Sequence, residues 1–325
     1  MIDHCGREIN YMRISVTDRC NLRCRFCMPQ GKVEFQDVEK LLSYEQLLKI
    51  VTAVMPLGIH NFRITGGEPL VRSGIVEFIQ ELKALDPQNK VFLTTNGVLL
   101  NQHLDGLIKA GLDGVNVSLC STDAKEYEMI TGSNQMETVR EAILSAANSG
   151  IRTKVNCVPL LEWNEDQLTN LASLAKDHPI DVRFIEMMPI GLGSSFGVIT
   201  GADVLTRMEA VYGSSIPIPK RGNGPATYVR FENFTGDIGF INACTCAFCK
   251  DCNRIRLTAN GFLKLCLNYE TGIDVLEALK NNSSPLELTN IIEKAIYVKP
   301  VHHNFIEGKT EMKGDNVRYM SQIGG

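Results

Sequence analysis

The chain has 325 residues, enough for about two domains or for one extended β/α barrel, so a large core can be buried. Hydrophobic residues make up 44% and charged residues 22%, which excludes collagen-like, coiled-coil and globally disordered proteins. The formal net charge is −4, which excludes a protein held to duplex DNA by an overall basic surface.

The N-terminal residues 1–13 carry charges where a signal peptide has an apolar core, and they include acidic residues that transit peptides avoid. The longest apolar run, 50–59, has about ten residues, whereas a membrane-spanning helix needs about 20. We therefore expect a cytoplasmic protein with neither a membrane nor a nucleic-acid partner. Eleven cysteines in such a chain indicate metal or redox chemistry rather than a disulfide framework.

Short β-branched runs alternate with helical patterns through the first two thirds of the chain, which is typical of parallel β/α units. The patterns predict strands near 11–17, 61–65, 90–95, 113–119, 151–158 and 181–186. They predict helices near 43–55, 73–85, 101–110, 136–149 and 164–177. Six units are too few for a closed eight-stranded barrel, so we expect an α/β fold with a partial (β/α)6 TIM-type barrel. A doubly wound sheet is the alternative.

The pattern changes after Pro189, where glycine-rich stretches precede strand-like segments near 227–231, 237–242, 255–258 and 262–266. Helices are expected near 201–211, 272–280 and 285–296, and the tail from about 299 is polar and irregular. These features predict a smaller C-terminal α+β portion. We divide the chain into a barrel domain, 1–225, and an auxiliary, substrate-binding region, 226–325.

Three cysteines follow the first predicted strand with the spacing C-x3-C-x2-C: Cys20, Cys24 and Cys27. A four-iron cluster held by three thiolates keeps one iron open, whereas a structural zinc site takes four ligands. The spacing favours the cluster, and a zinc knuckle with a distant fourth ligand is the alternative. A Gly-Gly-Glu-Pro turn at 66–69 follows the second strand, where main-chain atoms can approach a ligand closely.

A second set of cysteines, Cys249, Cys252 and Cys266, lies far along the chain, and a zinc ribbon completed by Cys244 or Cys246 is an alternative there. Basic residues lie in or beside predicted strands. Each alone is typical of a surface ion pair. Beside two cysteine sets, they together predict a polyphosphate pocket: Arg13, Arg63, Lys154, Arg183, Arg254 and Arg256.

The segment TDRCNLRCRFCMP at 17–29, with GGEP at 66–69, resembles the radical S-adenosylmethionine superfamily. Over nearly the whole length, the chain is similar to the GTP 3′,8-cyclase family of molybdenum cofactor biosynthesis. The segments that carry this resemblance are LTTNG at 93–97, GLDGVNVSL at 111–119, VRFIEMMP at 182–189, FCKDCNRIRLTANG at 248–261 and the closing Gly324-Gly325.

The resemblance implies two 4Fe-4S clusters, one on each cysteine set. The first would cleave S-adenosylmethionine to a 5′-deoxyadenosyl radical, and the open iron of the second would bind guanine. Hydrogen abstraction from ribose C3′ of GTP and bonding to C8 would give (8S)-3′,8-cyclo-7,8-dihydroguanosine 5′-triphosphate. The implied S-adenosylmethionine contacts are Phe26, Gly67, Ser118 and Met188. The implied GTP contacts are Arg13, Arg63, Thr94, Lys154, Arg183, Arg254, Ile255 and Arg256, of which Arg254 and Arg256 are also catalytic candidates together with the first cysteines.

The resemblance further implies a low-potential electron donor, a homodimer and transfer of the product to cyclic pyranopterin monophosphate synthase. Three features depart from the family pattern: Phe26 replaces a frequent Tyr, Cys120 replaces the usual Asp, and Cys244 and Cys246 are additional thiols. We expect Cys249 and Cys252, rather than those two thiols, to hold the second cluster.

Two further expectations concern the cavity. The closing Gly324-Gly325 is predicted to enter the active site, because only residues without side chains pass close to a substrate. The chain is predicted to turn outward after Leu119, with Ser121 or Asp123 capping the next helix and Cys120 out of the path of the radical.

Two other classes of protein are alternatives on the sequence alone. One is a different two-cluster radical enzyme that modifies a peptide, an RNA or a sugar. The other is a zinc-stabilised binding module without catalytic activity. The colour of anaerobically purified protein separates them, because iron-sulfur protein is brown and zinc protein is colourless.

Overall fold

The computed structural model describes residues 1–29, 31, 33–219, 221–246, 248–281, 283–305 and 319–324. Its strands are β1 (Tyr11–Ser15), β2 (Asn61–Thr65), β3 (Lys90–Thr95), β4 (Gly114–Ser118), β5 (Arg152–Cys157), β6 (Asp181–Ile185), β7 (Ser215–Ile218), β8 (Thr227–Phe231), β9 (Ile238–Ile241), β10 (Arg254–Leu257), β11 (Phe262–Lys264) and β12 (Gly272–Asp274). Its helices are α1 (Tyr44–Val54), α2 (Ile75–Leu85), α3 (Leu100–Lys109), α4 (Ala124–Thr131), α5 (Met136–Asn148), α6 (Leu168–Asp177), α7 (Gly201–Tyr212), α8 (Val275–Lys280), α9 (Pro285–Tyr297) and α10 (Met320–Ile323). Within these residues, every helix is too short or too polar to cross a membrane.

The strands form one sheet in the order β12-β11-β10-β1-β2-β3-β4-β5-β6-β9-β8-β7. Strands β1 to β6 are consecutive parallel neighbours, as the six predicted β/α units require. The C-terminal strands β10 and β9 extend this parallel block, because β10 pairs with β1 and β9 pairs with β6. The predicted partial barrel with a C-terminal α+β portion is confirmed, and the C-terminal portion contributes strands to both of its edges.

Side-chain alternation along β1 divides the core from the interior of the barrel. Met12 and Ile14 are fully buried in the hydrophobic core that also contains Leu47 of α1. Tyr11 and Arg13 point the other way and line a central cavity. The same period of two places the basic residues of the strands inside the barrel.

Several elements differ from the sequence expectations. The sequence patterns do not predict helix α4, although they identify Asp123 as a candidate cap. In the structure the Asp123 side chain caps this helix, accepting from the amides of Lys125 and Glu126. Strand β7 contains Pro217 and lies at the edge of the sheet, where a missing N–H is tolerated. The predicted helix 272–280 begins only at Val275, because residues 272–274 pair with β11 as β12.

The C-terminal tail also differs in part from its predicted irregularity. It contains the short helix α10, and residues 306–318 and 325 lie outside the described residues. The division of the chain at 225/226 stays a prediction. Strand β7, which precedes that boundary, pairs with β8, which follows it.

Candidate active site

A cavity of about 550 Å³ runs along the inside of the barrel, a volume typical of small-molecule sites. Its walls include residues from both ends of the parallel strands, such as Asn61 and Arg152 at strand starts and Ser118 at a strand end. All six cysteines of the two predicted sets line this one cavity.

The two cysteine sets lie at opposite ends of the parallel block. The first set follows β1 and therefore lies beyond the carboxyl end of that strand. Cys249 and Cys252 immediately precede β10, which is parallel to β1, so they lie at the amino end. Cys266 follows β11, which is antiparallel to β10, and returns to the same end. The cavity therefore extends between the two sets.

The first cysteine loop is folded as a tight turn with its three cysteines half-buried. The Cys24 carbonyl accepts from the amides of Cys27 at 2.9 Å and Met28 at 3.0 Å. Burial, and secondly the nearby Cys20, raises the pKa of Cys27 to about 12. Burial likewise raises the pKa of Cys24 well above its usual value. Three thiolates in this setting require a strongly cationic partner.

The GGEP turn packs directly on the cysteine loop. The Gly67 amide donates to the Thr17 carbonyl at 2.7 Å, and the Glu68 amide donates to the Arg19 carbonyl at 2.8 Å. A Cβ atom at Gly67 would lie 2.3 Å from the Arg19 carbonyl oxygen. Glycine is needed here for the contact between the two loops, a reason that the sequence reasoning missed.

Buried Glu68 fixes this pair of loops to the end of β3. Its carboxylate accepts from the Thr95 hydroxyl at 2.8 Å and from the Asn96 amide at 2.6 Å. Burial raises the pKa of Glu68 to about 7. The Asn96 side chain then donates to Asn21 beside Cys20 at 2.7 Å. Position 68 is therefore a structural connection between the GGEP turn and the cysteine loop.

The second cysteine set lies in a positively charged environment. Burial acts to raise the pKa of Cys252, but the charges of Arg254, Lys299 and Arg7 outweigh it and lower that pKa to about 7. The buried ammonium group of Lys299 donates to the Leu265 carbonyl next to Cys266. Sequence reasoning missed Lys299 and Arg7, because both are distant in the chain from the cysteines.

Arg7 holds the backbone around this second set. Its guanidinium pairs with buried Asp3 and donates to the carbonyls of Cys249 at 3.1 Å and Lys299 at 3.0 Å. One side chain therefore fixes the N-terminal segment, the Cys249 turn and the segment after α9 against each other.

Three arginines lie side by side in register across neighbouring strands. Arg13 on β1 pairs with Arg256 on β10 and with Arg63 on β2, and all three line the cavity. Burial, and then the charge of Arg256, lowers the pKa of Arg13 well below its usual value. Burial, and then the charge of Arg254, lowers the pKa of Arg256 to about 10. A polyanionic ligand would relieve this repulsion.

Polar side chains on β4 to β6 continue this surface. Arg183 donates to the Asn156 side chain at 2.9 Å, and the Asn116 carboxamide, oriented to suit its neighbours, accepts from Arg183 and Arg63. Lys154 donates to the Tyr228 hydroxyl at 2.6 Å and pairs with Asp181 at 2.7 Å. The Lys154 charge is thus already balanced within the protein.

The structure brings nearly all the predicted ligand contacts to the cavity wall. Cavity-lining residues include Phe26, Gly67, Ser118 and Met188 of the predicted S-adenosylmethionine contacts, and Arg13, Arg63, Thr94, Lys154, Arg183, Arg254 and Arg256 of the predicted GTP contacts. Ile255 is the exception: its side chain is fully buried in the hydrophobic core, because it alternates with the two inward-facing arginines beside it.

The expectation that Cys120 stays away from the cavity is wrong. Strand β4 ends at Ser118 and Asp123 caps α4, as predicted. The Cys120 side chain nevertheless lines the cavity and acts electrostatically on Cys24. The Leu119 amide still donates to the backbone carbonyl of Asn156 on β5. The chain therefore follows the sheet for one more residue after β4 before it turns.

The donor sets fit iron-sulfur clusters. Each consists of three thiols on one stretch of the cavity wall, with Cys120 as an additional cysteine near the first set, and a cluster of this kind takes its ligands on separate irons. Among the residues that the structure describes, no group of three or more His, Cys, Asp or Glu side chains is arranged to hold a metal ion. Cys244 and Cys246 are not among the cavity-lining residues.

Comparisons with known proteins agree with this fold and donor set. Residues 14–175 match the model of the radical SAM superfamily, and residues 180–305 match the molybdenum cofactor synthesis C family. The structure resembles Streptococcus suis SuiB bound to S-adenosylmethionine, with a TM-score of 0.61 and 14% identity. The match covers 83% of this chain and 64% of SuiB, which is less than two thirds of SuiB. It also resembles anSMEcpe with bound AdoMet and a peptide, with a TM-score of 0.52, 14% identity and coverage of 92% and 83%. The fold and the cysteine loop define a radical SAM protein.

Full-length relatives narrow the assignment. A GTP 3′,8-cyclase of Clostridium perfringens strain 13 is 40% identical over 328 residues, and one of Alkaliphilus oremlandii is 40% identical over 329, each with complete coverage of both chains. A third, from Pelotomaculum thermopropionicum, is 39% identical over 330 residues, also with complete coverage. The chain belongs to the GTP 3′,8-cyclase family.

Proposed function

We propose that this protein converts GTP to (8S)-3′,8-cyclo-7,8-dihydroguanosine 5′-triphosphate with S-adenosylmethionine as co-substrate, in molybdenum cofactor biosynthesis. One observation carries the proposal: both cysteine triads and an in-register row of three arginines line the same cavity. Three in-register arginines form a concentrated positive surface, which suits the phosphates of a nucleoside triphosphate.

In this proposal Cys20, Cys24 and Cys27 hold one 4Fe-4S cluster, and Cys249, Cys252 and Cys266 hold the other. When bound, the first cluster supplies the electron that cleaves S-adenosylmethionine and so generates the radical that abstracts hydrogen from ribose C3′. Gly67, Ser118, Met188 and the Phe26 backbone form the surface that orients S-adenosylmethionine at the carboxyl end of the strands.

The remaining residues position GTP between the two triads. Arg13, Arg63 and Arg256 bind the triphosphate, with Arg183, Lys154 and Thr94 beside them on the same wall. Lys154 already forms an ion pair with Asp181. It contacts a phosphate oxygen only if the free energy of that contact offsets the loss of this ion pair. Burial of the substrate between the triads excludes water from the reacting carbons.

The direct test is anaerobic incubation of the iron-loaded protein with reductant, S-adenosylmethionine and GTP, followed by mass spectrometry of the products. We expect 5′-deoxyadenosine together with a cyclised guanosine triphosphate. Formation of 5′-deoxyadenosine without any GTP-derived product would contradict the proposal, whereas a colourless, iron-free protein would favour a zinc module.

The proposal includes further expectations that rest on the family alone. They are a low-potential electron donor, a homodimer and delivery of the product to cyclic pyranopterin monophosphate synthase. A cytoplasmic location, which the sequence patterns predict, is retained beside them as a proposal. The working division into a barrel, 1–225, and an auxiliary region, 226–325, is also retained as a proposal.

Cys246→Ser is expected to leave the full iron content and turnover unchanged. Cys246 is exposed and lies off the cavity wall, whereas Cys249 and Cys252 are on it. The measurement is iron and sulfide content per chain after anaerobic reconstitution, with Cys249→Ser as the matched variant that loses one cluster. Loss of one cluster from Cys246→Ser instead would make that thiol a ligand.

Cys120→Ala is expected to lower the ratio of S-adenosylmethionine cleaved to product formed. The Cys120 thiol lines the cavity near Cys24, where its S–H can quench a carbon radical before GTP does. The ratio is measured by chromatography of 5′-deoxyadenosine and the cyclised product, with Cys157→Ala, a buried thiol off the cavity wall, as the control. An unchanged ratio would show that Cys120 is not exposed to the radical.

A further inference from the structure

A buried carboxamide lies on the cavity wall beside the second triad. Asn268 is 3% exposed, and among the described residues neither its Oδ1 nor its Nδ2 atom has a hydrogen-bond partner. Asn268 lines the cavity, as Cys266 does two residues earlier. A buried amide with both atoms unpaired is costly to the fold, so a ligand that pairs with it is the natural explanation.

A second buried polar side chain lines the same cavity. His303 is 9% exposed and lines the cavity, and its Nε2 atom is also without a partner among the described residues. Its Nδ1 atom accepts from the Phe305 amide at 3.4 Å, which leaves the proton on Nε2 as a free donor.

Flat apolar surface accompanies these polar atoms. The rings of His303 and Phe305 lie 4.2 Å apart between centroids, and Phe248 meets His303 edge-on at 6.4 Å. All three side chains line the cavity. Neutral donors and acceptors next to aromatic rings suit the edge and face of a heterocyclic base, whereas the arginine row suits phosphates.

We propose that Asn268, with His303 beside it, reads the polar edge of the guanine base of the substrate. This inference rests on the proposed function and adds the residue that selects the base. Guanine presents N–H donors at N1 and the 2-amino group next to the O6 acceptor, so a carboxamide can accept and donate at once. Adenine has an acceptor at N1 and a donor at its 6-amino group, the reverse of guanine, so binding of ATP is expected to be weaker than binding of GTP. The adenosyl cofactor is expected at the other end of the cavity, by the first triad.

The test uses Asn268→Leu, which keeps the volume of the side chain and removes both polar atoms. Equilibrium dialysis of the anaerobically reconstituted protein measures binding of GTP, ITP and ATP, with S-adenosylmethionine binding as an internal reference. We expect GTP affinity to fall about tenfold and the preference for GTP over ATP to shrink by a similar factor. S-adenosylmethionine affinity and iron content should stay unchanged.

Thermal unfolding separates recognition from a structural role. Asn268→Leu should melt at the same temperature as the parent or higher, because an unpaired buried amide has been removed. Asn268→Ala serves as a second variant with the same expected binding defect. Asn242→Ala is the matched control, since the Asn242 side-chain oxygen is also buried and unpaired but lies off the cavity wall.

Two failures are distinguishable. If the wild-type protein binds no GTP, the proposed function itself is wrong. If the wild-type protein binds GTP and Asn268→Leu keeps the same affinities and the same order among GTP, ITP and ATP, only the role of Asn268 is refuted. Weaker S-adenosylmethionine binding with unchanged GTP binding would likewise overturn it.

Discussion

Serine at Cys24 is expected to abolish S-adenosylmethionine cleavage, whereas serine at Cys266 is expected to preserve cleavage and remove cyclisation. The reason is topological. Cys24 lies at the carboxyl end of the parallel strands, and Cys266 lies at the amino end, on the far side of the same cavity. A cluster lost at one end leaves the ligands of the other in place.

Iron analysis and assays of two products, 5′-deoxyadenosine and the cyclised nucleotide, test this prediction. Each variant should lose the iron of one cluster, and 5′-deoxyadenosine formation without GTP should persist only in Cys266→Ser. Cys246→Ser controls for the loss of a thiol elsewhere. Depletion of both clusters by either substitution would mean that the triads are not independent sites.

Removal of Gly324 and Gly325 is expected to reduce cyclisation by at least about tenfold with both clusters retained. The Gly324 carbonyl accepts from the Arg256 guanidinium at 2.8 Å, inside the predicted triphosphate surface. A hydrogen bond to a charged group typically contributes about 1.5–3 kcal/mol, which corresponds to about tenfold or more in rate. The preceding residue Ile323 is buried with Ile190 and Phe305, which anchors the tail at the cavity.

Gly324→Ala tests the same contact at full chain length. Gly324 has a φ of +70°, and a Cβ atom there would lie 3.0 Å from Thr65 Cγ2 and 3.1 Å from Ser15 Cβ. The control is Gly150→Ala, because Gly150 has a φ of +80° but nothing within 4 Å. Turnover of the truncated protein equal to that of the parent would show that the tail is a frayed terminus without a function.

Most of the barrel could be predicted, because local pattern decides it. Runs of β-branched residues fixed six parallel strands to within a few residues, and Asp123 was identified as a candidate helix cap. The strands β7 and β12 could not be predicted, since a short edge strand with Pro217 or a three-residue strand before a helix has little local signal. Their formation depends on neighbours that are distant in the chain.

Residue types and spacing by themselves determined the chemistry available to this protein: two cysteine triads, a GGEP turn and an excess of basic residues on strands. Tertiary structure alone decided where these groups meet. Parallel pairing of β10 with β1 sets Arg256 next to Arg13 and puts the second triad opposite the first. It also brought Lys299 and Arg7 to Cys252, and the Cys120 thiol into the cavity. Such contacts follow from strand order and register, which join residues too far apart in the chain for any local pattern to relate them.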